Sequence, residues 1–551
     1  MIDSKWREKD MNGFVKSLVF VCLSLPIYSA NAVSLFVEKW GSDNAECSRT
    51  EPCNEITTAL NIATSNDRIF VGPGRYDGGL LIQETGIRLE STAGPRATII
   101  DADRVGSGTI GVDIQADRVS IGRAGGRGFT ILATDAEVIR VGLPETITGC
   151  AIESLTPQGQ QPFFFASEII GTLAQNFSGT RVEGNNLFQF IQAAPPLVGD
   201  FCTLDDFDNP TAAVLLASRV LNAVSVTGDG VILNDNNIVG AGTHVLNLSE
   251  TSGRSTIQGN NIKQDLTVLN NLPAADVQSS DGFSTRSSAL TIEGGRSTIR
   301  DNLFELIGSG VGSDSIVFSD GIDSSGDRNL ITSNIVLGFD LAINASPFGV
   351  SPVTTVSRNI IVNPSFAGIT DFRAGAAVSI TDNTIFAEEF SEAFARGLGI
   401  FSSNSRLIRG NNISGFNGAF ATGLSFEQIS PSQFFDVPVN FTTVSNNNFY
   451  DLNEDSGNGG SCGVFISSGG VDIRMTNNFF GSTTDLPQII ESTDNFFVNV
   501  TQLPAVSDSS NICAANGLVE NVNGSVEITN VSTRPRLRAN PIRAIFRDNP
   551  F

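Results

Sequence analysis

The sequence of 551 residues contains a single histidine and few aromatic side chains that carry a polar group. A Ser-His-Asp catalytic triad would have to use that histidine, His244. After residue 32 only Trp40, Tyr76 and Tyr450 combine an aromatic ring with a polar atom, whereas the whole chain has 38 Phe. Sugar-binding grooves usually stack Trp or Tyr on the sugar, while Phe packs well in cores. The composition therefore argues against a long sugar cleft lined by aromatic residues.

Basic residues are scarce relative to acidic ones, and the formal net charge is −24. A chain of this charge repels nucleic acid and anionic membrane surfaces. It also repels acidic polysaccharides unless calcium or a local basic groove intervenes. We therefore expect no nucleic-acid partner, and an extracellular polysaccharide or a cell-surface molecule is the partner that remains.

Dedicated metal motifs are missing as well. Calcium repeats of the Gly-Gly-x-Gly-x-Asp kind do not occur, since Gly125-Gly-Arg-Gly128 is followed by Phe129-Thr130. The Asp clusters at 205–208 and 320–327 can hold calcium incidentally. We expect no cofactor, with calcium as the one ion that the sequence allows.

No apolar run approaches the roughly 20 residues that a membrane helix needs, so we expect no transmembrane segment in the mature chain. Residues 1–32 instead predict a signal peptide. Lys16 precedes an apolar run that begins at Leu18, and Ala30-Asn-Ala32 is a small-residue cleavage site. The protein is therefore predicted to be secreted or periplasmic.

Six cysteines follow the signal peptide, and an even number in an exported chain favours disulfides over metal binding. The simplest arrangement joins neighbours along the chain, so that the second and third bridges tie long insertions to the body of the protein. The predicted pairs are Cys47 with Cys53, Cys150 with Cys202, and Cys462 with Cys513.

A short pattern recurs from Val182 to Phe480: an apolar residue, two further residues, Asn, and another apolar residue within three positions. Its shortest spacing is 24 to 25 residues, and the longer gaps fit that period plus loops. Such a period predicts a solenoid whose units stack to bury their apolar sides. The repeated residues are Asn185, Asn236, Asn260, Asn302, Asn334, Asn359, Asn383, Asn411 and Asn447, with a slipped copy at Asn477-Asn478.

The units are predicted to be strands rather than leucine-rich repeats. Leucine-rich repeats need an apolar residue two positions before each unit begins, where this chain has polar residues such as Ser255, Ser297 and Thr354. The flanks alternate in short β-branched runs, which favour strands. Asn suits the bend between two strands because it tolerates the left-handed backbone region, and stacked Asn side chains can form amide ladders.

The residues before the repeats carry a resemblance to a known family. Cys47-x5-Cys53, Ile56-x-x-Ala59-Leu60-x-x-Ala63, Asp67-x-Ile69-x-Val71-x-Pro73-Gly74-x-Tyr76 and Thr98-Ile-Ile-Asp101 resemble the N-terminal region of the pectin-lyase-like right-handed parallel β-helix superfamily. The resemblance implies an all-β fold: a single-stranded right-handed parallel β-helix with coils of three short strands and a short N-terminal capping helix. We expect about 12 to 16 coils, a rod of roughly 60 to 75 Å.

This fold predicts four segments. Residues 1–32 form the signal peptide, and 33–66 form an N-terminal cap with an amphipathic helix at 55–64 that covers the open end of the first coil. Residues 67–531 form the β-helix, with insertions near 142–221, 263–288 and 416–440. Residues 532–551 form an Arg- and Pro-rich tail.

The best catalytic candidates are Asp320, Asp323 and Asp340. The segment Ser319-Asp-Gly-Ile-Asp323, followed by Gly338-Phe-Asp340, is similar to polygalacturonase motifs in which paired carboxylates cleave a glycosidic bond. Phe339 replaces one of the paired aspartates, and the Gly-His-Gly and Arg-Ile-Lys motifs of that family are missing. Asp and Gly are also ordinary bend residues in a β-helix. For lyase chemistry, the candidate bases Arg300, Arg358 and Arg409 occupy bends that we expect to be solvated.

Two functions follow. The first is an exported bacterial β-helix protein without a conventional catalytic site, acting as a scaffold, an adhesin or a carbohydrate-contacting surface. The alternative is a polysaccharide-degrading enzyme, a polygalacturonase-like hydrolase before a lyase, that uses the three aspartates.

Overall fold

The computed structural model describes the chain from residue 32 to residue 529 with internal gaps. Residues 1–31 of the predicted signal peptide and the predicted tail at 532–551 lie outside the described residues. No helix within the described part is long and apolar enough to cross a membrane. The described ranges are 32–43, 46–144, 146–155, 163–192, 197–204, 213–219, 221–249, 252–271, 285–308, 317–346, 353–371, 378–387, 394–401, 407–418, 420–427, 439–450, 453–454, 462–466, 471–481, 512–514 and 525–529.

The first part of the chain contains helix α1 (Ile56–Ile62), a 3-10 turn at Ala102–Arg104 and sixteen strands. These are β1 (Ser34–Val37), β2 (Arg68–Val71), β3 (Gly74–Asp77), β4 (Leu80–Ile82), β5 (Arg88–Ser91), β6 (Thr98–Asp101), β7 (Val112–Ile114), β8 (Ser120–Gly122), β9 (Thr130–Thr134), β10 (Ile139–Val141), β11 (Thr146–Leu155), β12 (Phe163–Thr172), β13 (Arg181–Glu183), β14 (Asn186–Phe190), β15 (Leu197–Leu204) and β16 (Ala213–Arg219).

The remaining strands follow from residue 222, with a second 3-10 turn at Leu269–Asn271. They are β17 (Asn222–Val226), β18 (Ile232–Asn234), β19 (Asn237–Gly240), β20 (His244–Leu248), β21 (Thr256–Gln258), β22 (Asn261–Asp265), β23 (Thr285–Ile292), β24 (Thr298–Arg300), β25 (Leu303–Ile307), β26 (Val317–Ser324), β27 (Leu330–Thr332), β28 (Ile335–Leu337), β29 (Leu341–Ala345), β30 (Thr354–Ser357), β31 (Ile360–Val362), β32 (Ala367–Asp371), β33 (Val378–Thr381), β34 (Thr384–Phe386), β35 (Phe394–Phe401), β36 (Leu407–Arg409), β37 (Asn412–Ser414), β38 (Asn417–Gly418), β39 (Phe420–Glu427), β40 (Val439–Ser445), β41 (Asn448–Tyr450), β42 (Asn453–Glu454), β43 (Cys462–Ile466), β44 (Val471–Thr476), β45 (Phe479–Gly481), β46 (Ile512–Ala514) and β47 (Ser525–Thr529).

Three long sheets of parallel strands run the length of the molecule, and each coil contributes one strand to each sheet in turn. Sheet A contains β1, β2, β5, β8, β13, β18, β21, β24, β27, β30, β33, β36, β40, β44 and β47. Sheet B contains β3, β6, β9, β14, β19, β22, β25, β28, β31, β34, β37, β41 and β45. Sheet C contains β4, β7, β10, β17, β20, β23, β26, β29, β32, β35, β39, β43 and β46. The predicted right-handed parallel β-helix, with coils of three strands, is confirmed.

The core is a set of stacked columns inside the coils. On sheet A the central residue of each short strand points inward and pairs in register with its equivalent on the next coil. Burying each such Leu, Ile or Val contributes about 1.5–3 kcal/mol. One column holds Leu233, Ile257, Ile299, Ile331 and Val356, all at most 1% exposed.

The repeated asparagines form a continuous ladder at the bend between sheets A and B. Each side-chain Nδ2 donates to the Oδ1 of the next asparagine at 2.9–3.2 Å. Each Oδ1 also accepts from the backbone N of the preceding asparagine at 2.9–3.1 Å. The ladder runs from Asn185 to Asn478 with every member at most 2% exposed, which confirms the predicted amide stacking.

The prediction that these asparagines themselves occupy the left-handed backbone region is wrong. That conformation belongs to the residue before each one, for example Asp301 at φ 57°, Ser333 at φ 57° and Arg358 at φ 56°. Two neighbouring residues therefore form each bend. The first adopts the left-handed conformation that turns the backbone, and the asparagine after it supplies the buried side-chain amide.

The N-terminal end carries α1, whose residues Ile56 and Ala59 are buried. The helix contacts β1, β2 and β4, and its predicted role as a cover of the first coil stays a prediction. β1 pairs in parallel with β2, so sheet A begins before residue 67, where we expected the β-helix to start.

The predicted insertion at 142–221 consists of two antiparallel hairpins, β11 with β12 and β15 with β16. Between them β13 and β14 return to sheets A and B, so one coil segment separates the hairpins. In the predicted insertion at 263–288, residues 272–284 lie outside the described residues. The predicted insertion at 416–440 includes β39, which belongs to sheet C.

One predicted disulfide, Cys47–Cys53, is confirmed. Cys150 is also disulfide-bonded, and β11, which carries it, contacts β15, which carries Cys202. Cys513 pairs in register with Phe465, three residues along from Cys462. That offset is roughly 10 Å along a strand, more than a disulfide spans, so this register does not favour the third predicted pair. The second and third pairs stay predictions.

Candidate functional site

One polar side chain per coil points away from the apolar columns of sheet C over eight consecutive strands, and three of the eight, Ser225, Asn344 and Thr370, are themselves at most 7% exposed. The eight residues pair in register from strand to strand, while their neighbours on each strand, such as Val112 and Ile114, are buried in the core. We call this set the polar row. It consists of Asp113, Arg140, Ser225, Asn247, Thr291, Asp323, Asn344 and Thr370.

A charged cluster forms the N-terminal end of the polar row. Arg140 binds Asp113 with two hydrogen bonds, from Nη2 at 2.6 Å and from Nε at 3.1 Å. Its Nε also lies 3.8 Å from a carboxylate oxygen of Glu137. Burial raises the pKa of the Glu137 carboxyl above its ordinary value, Ser225 and Arg140 lower it, and Asp113 raises it further. The surroundings of Glu137 therefore favour the protonated form of its carboxyl.

The middle of the polar row contains a polar atom that lacks a partner. Asn247 Oδ1 is shielded from solvent and accepts no hydrogen bond from any residue that the structure describes. Asn247 is half-buried between Ser225 and Thr291 of the adjacent strands. Buried polar atoms are nearly always hydrogen-bonded, so this acceptor is an exception. Because it is shielded, a ligand hydroxyl reaches it only when the Asn247 side chain turns outward.

The predicted carboxylates occupy three different environments. Asp323 belongs to the polar row and accepts a hydrogen bond from Asn344 Nδ2 at 2.9 Å. Asp320, on the same strand β26, is fully buried. Asp340 follows β28 and joins two neighbouring coils, accepting from Ser319 N and Oγ at 2.9 and 2.8 Å and from Ser365 Oγ at 2.5 Å.

The hydrogen bonds that Asp340 accepts connect two neighbouring coils. Because both of its oxygens accept hydrogen bonds from the protein, it is poorly placed to transfer a proton to a ligand. The catalytic role of the three aspartates stays a prediction.

Other sequence candidates are placed as follows. Arg300, Arg358 and Arg409 are all exposed, as expected for solvated bends. His244 lies at the start of β20, with Nδ1 3.1 Å from Thr243 Oγ1. Within the described ranges, no group of three or more His, Cys, Asp or Glu side chains is placed to hold a metal ion.

Sequence reasoning did not select Glu137 or Asn247. The cluster at Glu137 depends on Asp113, which precedes Arg140 by 27 residues and approaches it only when β7 and β10 pair. Asn247 lies outside the repeated Asn motif, and the sequence alone does not distinguish an outward asparagine from one in a turn. The one available signal was the coil period, which brings residues about 25 positions apart into contact.

The sequence matches no protein-family model and no curated protein. Among solved structures, similarity extends to the A-module of the mannuronan C-5 epimerase AlgE6 of Azotobacter vinelandii, at 11% identity and a TM-score of 0.38, covering 87% of this chain and 94% of that one. The catalytic domain of a GH87 α-1,3-glucanase in complex with nigerose is similar at 12% identity and a TM-score of 0.35, covering 87% and 67%. A mannuronic-acid-specific polysaccharide family 6 lyase from human gut microbiota is similar at 13% identity and a TM-score of 0.38, covering 82% and 88%. At these values the likeness assigns no activity.

Proposed function

We propose that this is an exported β-helix protein that contacts carbohydrate through the polar row of sheet C without a conventional pair of catalytic carboxylates. The observation that carries the proposal is the shielded Asn247 Oδ1, which has no donor within the described residues. Leaving it unpaired costs about 1–3 kcal/mol, and a turn of the Asn247 side chain toward a sugar hydroxyl would remove that cost.

The neighbours of Asn247 extend this contact along the solenoid. Thr291, on the next coil about 4.8 Å away, is half-buried and carries a hydroxyl that contacts Ser288, while Ser225 on the other side is buried. Hydroxyl and amide groups both donate and accept hydrogen bonds, as sugar hydroxyls do. A row of this kind suits a glycan chain that lies along the axis of the solenoid.

The experiment measures binding of the purified full-length protein to a panel of neutral and acidic polysaccharides. The double variant Asn247→Ala with Thr291→Ala should weaken the affinity at least tenfold. A matched control, Thr298→Ala with Thr355→Ala, removes outward side chains from sheet A and should change the affinity less than twofold. Equal losses in the two variants, or no binding to any glycan, would refute the proposal.

A second candidate function is glycan cleavage, favoured by the raised pKa of the Glu137 carboxyl beside Asp113. In this mechanism Glu137 donates a proton to the leaving oxygen, and Arg140 orients Asp113 through two hydrogen bonds. The earlier candidates Asp320, Asp323 and Asp340 provide the competing assignment.

Product assays separate these readings. The same glycan panel is followed for new reducing ends and for unsaturated sugars, with and without a calcium chelator. Glycan release that Glu137→Gln abolishes would support the Glu137 enzyme, whereas loss in Asp320→Asn alone would support the aspartate site. Binding with no release in any sample would support the non-catalytic function.

A further inference from the structure

A groove of about 620 Å³ lies on the outer face of sheet A near the N-terminal end, on a different side of the solenoid from the polar row. Five arginines dominate its lining, together with two glutamates, one serine and one glycine. The lining residues are Arg68, Arg88, Arg118, Arg123, Arg181, Glu90, Glu183, Ser120 and Gly179. We call it the arginine groove.

Register between coils brings these arginines together. Arg68 pairs with Arg88 on the next coil, Arg88 pairs with Ser120, and Ser120 pairs with Arg181. The row therefore spans four coils, roughly 14 Å along the axis of the solenoid. Arg118 and Arg123 flank β8 on either side of this row.

Most of this positive charge is not neutralised by the protein. Glu90 binds Arg127, which is outside the groove lining, at 3.0 Å, and Glu183 lies 3.6 Å from Arg181. Of the residues that the structure describes, none places a carboxylate within 4 Å of the other four arginines: Arg68, Arg88, Arg118 and Arg123. All four are exposed.

This arrangement is unfavourable without a ligand. Like charges directly opposite each other on paired strands are destabilising, as Arg68 and Arg88 are here. It is also unexpected in a chain with a net charge of −24, which has many carboxylates to place beside exposed arginines. An anion that binds in the groove would relieve the repulsion.

We propose that the arginine groove binds an acidic polysaccharide that lies along the solenoid axis. Arginine binds carboxylate and sulfate groups through two parallel N–H donors, which suits a chain with one anionic group per sugar or per few sugars. The groove is the local basic surface that an acidic protein needs in order to approach such a polymer.

Nucleic acid fits the same surface less well. Single strands are usually held by aromatic side chains that stack on bases, and no lining residue of the groove is aromatic. A duplex extends well beyond the groove, where the acidic remainder of the protein repels its phosphates.

The test measures the affinity of the full-length protein for polygalacturonate, which carries carboxylates, for dextran sulfate, and for uncharged dextran. Arg88→Gln with Arg123→Gln should weaken binding to at least one anionic polymer tenfold or more and flatten its salt dependence. Arg300→Gln with Arg409→Gln, on the same sheet but remote from the groove, is the matched control and should change affinity less than twofold.

The two anionic polymers distinguish a carboxylate ligand from a sulfated one. Equal affinity for uncharged dextran, or equal losses in both double variants, would overturn the proposal. Tighter binding of a short DNA duplex that Arg88→Gln with Arg123→Gln selectively weakens would overturn it in favour of nucleic acid. The Asn247→Ala with Thr291→Ala variant should retain binding in the groove, so failure of the polar row and failure of the groove are separable.

Discussion

Removal of one central asparagine from the ladder should destabilise the protein far more than removal of an outward asparagine one position away from the ladder. Asn334 Oδ1 accepts from Asn302 N at 3.1 Å and from Asn302 Nδ2 at 3.0 Å. Its own Nδ2 donates to Asn359 Oδ1 and to the Ile299 carbonyl, both at 3.0 Å. Asn334→Ala therefore deletes four buried hydrogen bonds.

The loss in free energy of unfolding depends on which polar groups Asn334→Ala leaves without a partner. Asn302 Nδ2 keeps the Ile257 carbonyl, and Asn359 Oδ1 keeps the backbone N of residue 334. The backbone N–H of Asn302 loses the acceptor it has in the ladder, which costs about 1–3 kcal/mol, and the other lost bonds cost about 0.5–1.5 kcal/mol each. We expect Asn334→Ala to lower the free energy of unfolding by about 3–5 kcal/mol.

The control is Asn261→Ala, which removes an outward, half-buried asparagine that donates one hydrogen bond to Asn237 at 3.1 Å. It should cost less than about 1 kcal/mol. Urea unfolding is followed by circular dichroism and by fluorescence, whose transitions must coincide because stacked coils can unfold in parts. If the two variants differ by less than about 1 kcal/mol, the ladder does not stabilise the fold as we infer.

Three further predictions concern the N-terminal disulfide, Asp340 and Glu137. Replacing both Cys47 and Cys53 by Ala should lower the free energy of unfolding by about 2 kcal/mol, since the bond closes a short loop, and equal urea midpoints before and after the change would contradict this. Asp340→Ala should cost about 2–4 kcal/mol by leaving the hydroxyls of Ser319 and Ser365 and one backbone N–H without their acceptor, whereas a catalytic role alone would leave stability unchanged. Because the pKa of Glu137 is raised above its ordinary value of 4.5 in the folded state, its contribution is fully present below that value and is lost as pH rises through the folded pKa. Wild-type protein should therefore lose stability relative to Glu137→Gln as pH rises above about 4.5 and through the folded pKa, and a difference independent of pH would contradict the burial of this carboxyl.

The fold was predictable because two signals repeat over most of the coils. The ladder asparagines recur at one position of successive coils, where the side-chain amide both donates to and accepts from the next asparagine. Single apolar residues such as Ile257 and Ile299 recur at the centre of short β-branched runs. The backbone detail of the bend was not predictable in the same way. Gly, Asp, Ser, Arg and Asn all occupy the left-handed position before the ladder, so no residue type identifies it.

The candidate sites could not be predicted from the sequence because their residues come together only through the register between coils. Arg88 and Arg181 are far apart in the chain, and the hairpin β11–β12 lies between them. Their shared face follows only once β5, β8 and β13 are known to be neighbours in sheet A. The aspartates, by contrast, were selected from local motifs, and local motifs in a solenoid also arise from bends. Asp340, whose hydrogen bonds join two coils, is such a case.

The separation between inward and outward positions has a further consequence for function. The ladder and the inward columns fix where each coil lies, so an outward residue such as Arg88 or Asn247 is held in place by its neighbours' packing rather than by its own. Surface substitutions of this kind usually change stability by less than about 0.5 kcal/mol. Functional residues can therefore lie at any outward position without disturbing the fold, and they need not recur from coil to coil. Variants in the arginine groove and in the polar row should therefore change binding without lowering the urea midpoint, and relief of the Arg68–Arg88 repulsion or of the unpaired Asn247 oxygen should raise it.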